Sequence, residues 1–298
     1  MDLQLDGDQS ARLDALRALV ARCSPPPGGL PGHHDEGLVA AVRADGSIIG
    51  VDVPLLDRIL LVEEAARLAA PLSATAVLLI APLCGLVDVT GPVAITVEGA
   101  ATVVRDGAHA SVVVDLTSAG ARTARLGADE RQPAASGLLA NAGVVSPESL
   151  AACAWRAPTS PVLVYRLGLA AEIAGAAGGA IDHTAAYLRR RVAFGQPLGS
   201  RQALRHRLSE RAVDAAGTSA LARFAAWHGD AASISSAVAH AAATAAAVVP
   251  ELHQLCGAQG FVADFGLSRW TMLVQALRVE LGGSYDAAAE HAAARWPL

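Results

Sequence analysis

The sequence predicts a mainly α-helical chain interrupted by one small β unit, in the order helices, strands, helices. Three observations predict it. From Pro147 to the C-terminus, apolar residues recur at helical spacing in long Ala- and Leu-rich runs. From Pro54 to Leu79 a similar stripe runs through Leu55, Leu56, Ile59, Leu60 and Val62. Between Gly85 and Leu126 the pattern changes to short Val-rich runs bounded by Gly and Asp, which suit strands. The chain therefore divides into an N-terminal helical part (1–84), a small β domain (85–146) and a C-terminal helical bundle (147–298).

Taken in order, Gln9 to Cys23 reads as an amphipathic helix with Leu13, Leu16, Leu19 and Val20 on one face. Ser24-Pro25-Pro26-Pro27-Gly28-Gly29 ends it in a loop. His33, His34, Asp35 and Glu36 continue that loop, because adjacent histidines lack the spacing that converges on a metal. In the helical region 54–79, Glu63 and Glu64 point about 100° apart, so they do not meet on one substrate. In the β unit, four to six strands are expected, among them Val93–Val97, a run ending at Val103-Val104, and Ser111–Asp115, with Arg105-Asp106-Gly107 as a turn. Gly127 to Asn141 reads as a loop or linker. Beyond Pro147 the expected helices are Pro161–Arg191, Ala203–His228, Ile234–Cys256 kinked at Pro250, and one starting over Leu267–Arg278.

Composition narrows the function classes. The 298 residues are 53% hydrophobic and 17% charged, with a mean hydropathy of +0.38. An Ala-rich helical protein with a large subunit interface accounts for that. All 23 basic residues are arginine, and the net charge of −5 argues against general nucleic-acid binding. Cys23, Cys84, Cys153 and Cys256 show no paired spacing, which suits free thiols in a reducing cytoplasm. The N-terminus is acidic and polar, unlike a signal peptide. Leu68–Val87 and Ala231–Pro250 carry no charge, but prolines, Ser and Thr dilute them, so both read as buried helices and no membrane contact is expected.

The densest signal lies at Tyr187–Glu210, YLRRRVAFGQPLGSRQALRHRLSE. A helix ends in three arginines, a Phe194-Gly195-Gln196-Pro197 turn follows, and a second helix begins. A guanidinium held at such a corner matches two oxygens of a phosphate or pyrophosphate at once. It also complements the helix dipole with no ligand at all. Gln202 and His206 share one face of the second helix.

The pattern Tyr187, Arg191, Phe194-Gly195, Pro197-Leu198, then Gln202-Ala203, His206 and Leu208, resembles the C-terminal helical domain of the acyl-CoA dehydrogenases. Arg201 departs from it, standing where the family usually has Phe. A second segment, Glu251–Arg269, resembles the family's Gln-Gly run through Gln254, Gly257, Gly260 and Phe261, with Ala258 in place of its second Gly. The run GVDVPLLDRILLVEEAARLAAPLSAT resembles the family's N-terminal helices, where a Glu-Glu-x-x-Arg run packs structurally. The resemblance implies a shortened acyl-CoA dehydrogenase fold: N-terminal helices, a small β unit and a C-terminal four-helix bundle. It also implies that Arg191, Phe194, Gln202, Gln254 and Gly257 contact an FAD held mainly by a neighbouring subunit, with Arg191 on the diphosphate.

Other family features are missing. Gly85–Gly99 lacks the segment that contacts the flavin ring. The family's catalytic Glu position falls on Leu281, with Glu280 one residue early. A second branch places its Glu where this chain has Tyr165-Arg166. Glu280 is the candidate base, Glu172 a distant one, and a chain with no base of its own is the reading favoured by that one-residue offset. The sequence thus resembles one subunit of an actinobacterial α2β2 acyl-CoA dehydrogenase acting on bulky thioesters, including steroid side chains. Its expected partners are a fuller subunit or itself, an acyl-CoA, and an electron-transfer flavoprotein. The alternative is a scaffold subunit that keeps the fold and binds no flavin.

Overall fold

The computed structural model describes residues 4–23, 35–50, 52–89, 91–99, 103–135, 138–139 and 141–296. Helix α1 spans Gly7–Ala21, two residues earlier than the expected Gln9–Cys23, because Asp6 and Gln9 form a reciprocal capping box. Two short helices follow, α2 (Glu36–Ala44) and α3 (Gly46–Ile49). The expected loop is corrected at Glu36: Asp35 accepts from the Leu38 N–H at 2.8 Å and caps α2, so Glu36 starts a helix. His33 and His34 lie outside the described residues.

The single helical region expected over 54–79 is two elements. Helix α4 (Leu55–Arg67) stops where Ala69 adopts φ +50° ahead of Pro71. The chain resumes as a wide π-type turn, Thr75–Ile80, running into α5 (Ala81–Leu83). All of Leu72–Cys84 is buried, as read from its lack of charge. Glu63 and Glu64 diverge as predicted: Glu63 pairs with Arg223 at 2.9 Å, and Glu64 with Arg17 at 2.7 Å.

Among the described residues the β unit holds seven strands, more than the four to six expected. Strands β1 (Val93–Val97), β3 (Val112–Leu116), β4 (Ala121–Arg125) and β7 (Ala151–Cys153) form one sheet in the order β1-β3-β4-β7. The pair β1–β3 is parallel, with Val93 opposite Val112. A second sheet joins β2 (Val103–Val104), β6 (Gly143–Val145) and β5 (Arg131–Pro133). Two expectations change here. β5 lies inside the stretch read as linker, and β7 carries the sheet past 146 into the region read as wholly helical. Both are three-residue edge strands, too short to show period-two patterning.

The C-terminal part contains α6 (Pro161–Arg190), α7 (Gln202–His228), α8 (Ala231–Cys256) and α9 (Ser268–Glu280). These match the expected boundaries closely, and a fifth helix, α10 (Gly283–Arg295), packs on α8. Helix α6 lies between α4, α7, α8 and α9. That position explains its Ala- and Gly-rich sequence. A Cβ added at Gly175 would sit 1.9 Å from the Glu63 carbonyl oxygen, so only glycine permits the α4–α6 approach. By length and hydropathy α6 and the Ala231–Phe261 segment are long and apolar enough to cross a membrane, yet 83% of the α6 window is buried in the bundle.

Candidate functional site

The two segments picked out in sequence meet at one end of the bundle. Helix α6 ends at Arg190, and Arg191 leaves it in extended conformation while its N–H still bonds to Tyr187 at 2.9 Å. A two-residue hairpin follows, β8 (Val192–Ala193) against β9 (Gln196–Pro197). Its loop residues Phe194 and Gly195 have φ +53° and +79°. Positive φ costs glycine little, but holding phenylalanine there costs about 1–3 kcal/mol. Phe194 adopts this conformation with 93% of its surface exposed. The Arg201 guanidinium, at the position of the family departure, lies 5.3 Å from its ring centre, and its Nη2 donates to the Ala193 carbonyl at 3.5 Å.

The second segment stands beside this corner. Near the C-terminal end of α8, Glu251 pairs with Arg207 of α7 at 2.5 Å, and the Cys256 thiol lies 3.7 Å from Thr184 of α6. Phe265, beyond α8, meets Tyr187 edge-on at 5.0 Å. The fold thus brings Arg191, Phe194, Gln202, Gln254 and Gly257 to one end of the molecule, all of them exposed. Gln202 and His206 lie on one face, 3.4 Å apart, as their spacing predicts. Gly257 has φ +60°, and a Cβ there would meet nothing within 4 Å. Exposed guanidiniums on Arg189, Arg190 and Arg191, with open backbone at Gly257, are the donor set a diphosphate requires.

Glu280 is elsewhere. It ends α9 beside a cavity of about 460 Å³ between the β unit and the bundle. Val97, Val103, Leu138 and Val279 supply much of its apolar wall, and Arg105, Tyr165 and Glu280 its polar end. Arg105 is the centre of a buried cluster. Its Nη1 and Nη2 donate to Glu172 at 2.7 and 3.1 Å, and its Nε donates to Glu280 Oε1 at 3.2 Å. The Tyr165 hydroxyl donates to the same Oε1 at 3.0 Å, and Thr75 donates to Glu172 at 2.7 Å. Burial lowers the pKa of Arg105, but Glu172 and then Glu280 outweigh it, so the guanidinium stays charged. Burial raises the pKa of Glu280, Arg105 opposes this and the nearby Glu172 charge adds to it, with a net upward shift.

The chemistry follows from that arrangement. Both lone-pair directions of Glu280 Oε1 are engaged, so its carboxylate is held as an ion-pair member. Sequence reasoning did not find Arg105, which it read as a turn residue. The available signal was Glu172: a lone carboxylate inside the apolar run LGLAAEIAGAAG must be buried on α6 and needs a cation. The segment 91–99, which lacks the flavin-ring motif, spends its polar groups internally. The Thr96 hydroxyl and the Gly99 N–H both donate to Asp115, at 2.9 and 2.8 Å.

The upward shift of Glu280 fixes a sign. A carboxyl whose folded pKa is raised favours the fold below its unfolded pKa, and that contribution is lost as pH rises through the folded pKa. Relative to wild type, Glu280→Gln is therefore expected to gain in Tm on going from about pH 4 to about pH 7. Thermal melts across that range check it, and a difference that falls with pH contradicts it.

Residues 155–295 match the family model for the acyl-CoA dehydrogenase C-terminal domain. The chain has the acyl-CoA dehydrogenase fold. The ChsE4-ChsE5 complex from Mycobacterium tuberculosis superposes with a TM-score of 0.82 at 17% identity over 100% of both chains. Butyryl-CoA dehydrogenase from Megasphaera elsdenii does so with a TM-score of 0.74 at 17% identity, covering 99% of this chain and 100% of that one. The Tcur3481-Tcur3483 steroid ACAD variant gives 0.73 at 21% identity, over 95% and 94%. No curated protein matches the chain in sequence. In this acyl-CoA dehydrogenase fold, the matched domain holds the Arg191 corner, the Gln254–Gly257 segment and Glu280, while Arg105 lies in the β unit outside it.

Proposed function

We propose that this chain is one subunit of an FAD-dependent acyl-CoA dehydrogenase, contributing half of a flavin site and no catalytic base. One observation carries the reading. Tyr165, which bonds to Glu280, and Arg190, which precedes the cofactor corner, lie 25 positions apart on the continuous helix α6, about 37 Å at ~1.5 Å per residue. A flavin's ring and its diphosphate are joined by a short ribityl chain that cannot span this. The Arg191 corner therefore serves a flavin whose reacting ring lies in another chain, and the site is completed only by oligomerisation.

In that assembly Arg191 donates to the diphosphate, Phe194 covers it, and Gln202, Gln254 and Gly257 hold the adenosine half. A flavin held there would supply a hydride acceptor for the β-carbon of an acyl-CoA thioester, with an electron-transfer flavoprotein as the onward electron acceptor. Glu280, locked by Arg105 and Tyr165, leaves α-proton removal to the partner subunit. Two of the similar structures carry paired names, ChsE4-ChsE5 and Tcur3481-Tcur3483, and the second is a steroid ACAD. They support a heterotetramer with a fuller subunit, acting on a bulky acyl group such as a steroid side chain. Free cysteines accord with a cytoplasmic location.

The competing reading is a scaffold that binds no flavin, favoured by the internal use of the polar groups of 91–99. The visible absorbance of the assembled complex separates them. A flavin band that is lost when Arg191 is replaced supports the half-site, and a band indifferent to Arg191 supports the scaffold.

A further inference from the structure

The four cysteines are not equally placed. Cys23, just beyond α1, stands beside Asp35, and Cys256 lies against Thr184. Cys84 and Cys153 are 69 positions apart in sequence, yet their side chains meet in a hydrogen-bonding contact. The backbone explains why. Cys84 follows α5, and its N–H bonds to Ile80 at 3.1 Å. The Leu83 carbonyl before it accepts from the Arg156 N–H at 3.1 Å. The Arg156 guanidinium lies over Gly85 after it, where an added Cβ would sit 3.5 Å from Nη2. Arg156 thus reaches both neighbours of Cys84, and Cys153 precedes it by three residues. Cys153 ends β7 opposite Ala121 of β4, and its thiol donates to the Ala121 carbonyl at 3.4 Å. Both cysteines pack on one apolar cluster, Cys84 buried and Cys153 half-buried.

A single cysteine in a core is a small hydrophobe and needs no further explanation. Two in contact need only an electron acceptor to become covalent. We infer that Cys84 and Cys153 form a reversible intramolecular disulfide when the chain meets a low-molecular-weight disulfide, and that this bond ties the end of α5 to β7, enclosing strands β1 to β6 in one covalent loop. Transient bonds of this kind are the usual disulfides of a reducing compartment. The flavin corner and α9 lie outside the loop, so this inference and the half-site reading stand or fall separately.

Burial sets the order of events. Cys153 is the thiol that solvent reaches. Its thiolate attacks one sulfur of the small disulfide, giving a mixed disulfide and releasing one small thiol. Burial first, and then the Cys153 neighbour, raise the pKa of Cys84, so it is the resolving thiol and not the first to react. Cys84 loses its proton and attacks the Cys153 sulfur. The internal bond forms and the second small thiol leaves. The two cysteines give up two electrons and two protons, and the small disulfide gains both. An excess of small thiol runs the sequence backwards. Closing a loop this long restricts the unfolded chain, so the melting temperature is expected to rise by on the order of 5–10 °C.

The test uses the full chain in the assembly in which it purifies. One sample is incubated under native conditions with an excess of oxidised glutathione, another with dithiothreitol. Remaining thiols are alkylated and tryptic peptides are mapped by mass spectrometry. Cys84 and Cys153 fall on separate tryptic peptides, 68–105 and 132–156, each with one cysteine. The oxidised sample is expected to give these two peptides joined, with no glutathione attached, and to melt above the reduced one. Dithiothreitol is expected to reverse both changes. Cys84→Ala is expected to leave glutathione trapped on Cys153, and Cys153→Ser to abolish both the joined peptide and the rise in melting temperature. The wild-type chain alone decides the matter if either variant fails to fold. No joined peptide, a bond from Cys84 or Cys153 to Cys23 or Cys256 instead, or a joined peptide with no rise in melting temperature would each overturn the inference.

Discussion

Replacing Arg105 with leucine is expected to lower the unfolding free energy by about 3–5 kcal/mol, because it strands a buried carboxylate pair without its cation. The side chain is 8% exposed and bridges Glu172 on α6 to Glu280 at the end of α9. Glu172, at 1% exposure, has no route to water. Arg105 also fastens the β unit to the bundle, so the loss should be cooperative across both. At the scale of a few degrees per kcal/mol, the melting temperature falls by on the order of 10 °C. Arg105→Lys recovers only part of this, since an ammonium cannot reach two carboxylates with a planar fork. Combining Arg105→Leu with Glu172→Met and Glu280→Met removes all three charges and recovers most of the stability. A loss under about 1 kcal/mol for Arg105→Leu, the size of an exposed ion pair, would contradict the buried-cluster account.

Arg191→Ala has the opposite profile: little effect on the chain and a large one on cofactor. The side chain is exposed, and substitutions at such positions change stability by less than about 0.5 kcal/mol. A charge-assisted hydrogen bond to a diphosphate contributes about 1.5–3 kcal/mol, so FAD affinity in the assembled complex falls roughly 10- to 100-fold. Arg191→Lys restores part of it, because a point charge replaces a bidentate fork. Titration of FAD into flavin-stripped complex measures this. Unchanged affinity would mean that the strained Phe194 turn and its arginines serve something other than the flavin.

The contrast between these two arginines shows what was legible in the sequence. The Arg191 corner is local: Gly195, Pro197 and the run of arginines mark a helix end and a turn within a dozen residues, and the structure shows that turn. The long helices α6 to α9 were legible for the same reason, since their signal is repeated over many turns. Arg105 was not legible, because its partners lie 67 and 175 positions away and only tertiary packing joins them. Strands β5 and β7 escaped notice because three residues carry no periodicity, and their pairing with β6 and β4 is a property of the sheet. Helix α2 was missed because its start depends on one capping hydrogen bond, from Leu38 to Asp35.

The claim that organises the rest is that this chain holds only the outer half of a flavin site and relies on another polypeptide for the reacting ring. Flavin content of the chain purified by itself, set against its content when co-purified with a fuller acyl-CoA dehydrogenase subunit, tests this most directly. The account predicts substoichiometric flavin and no acyl-CoA oxidation for the chain alone, with both gained in the complex. One FAD bound per chain in isolation, together with acyl-CoA oxidation, would contradict it.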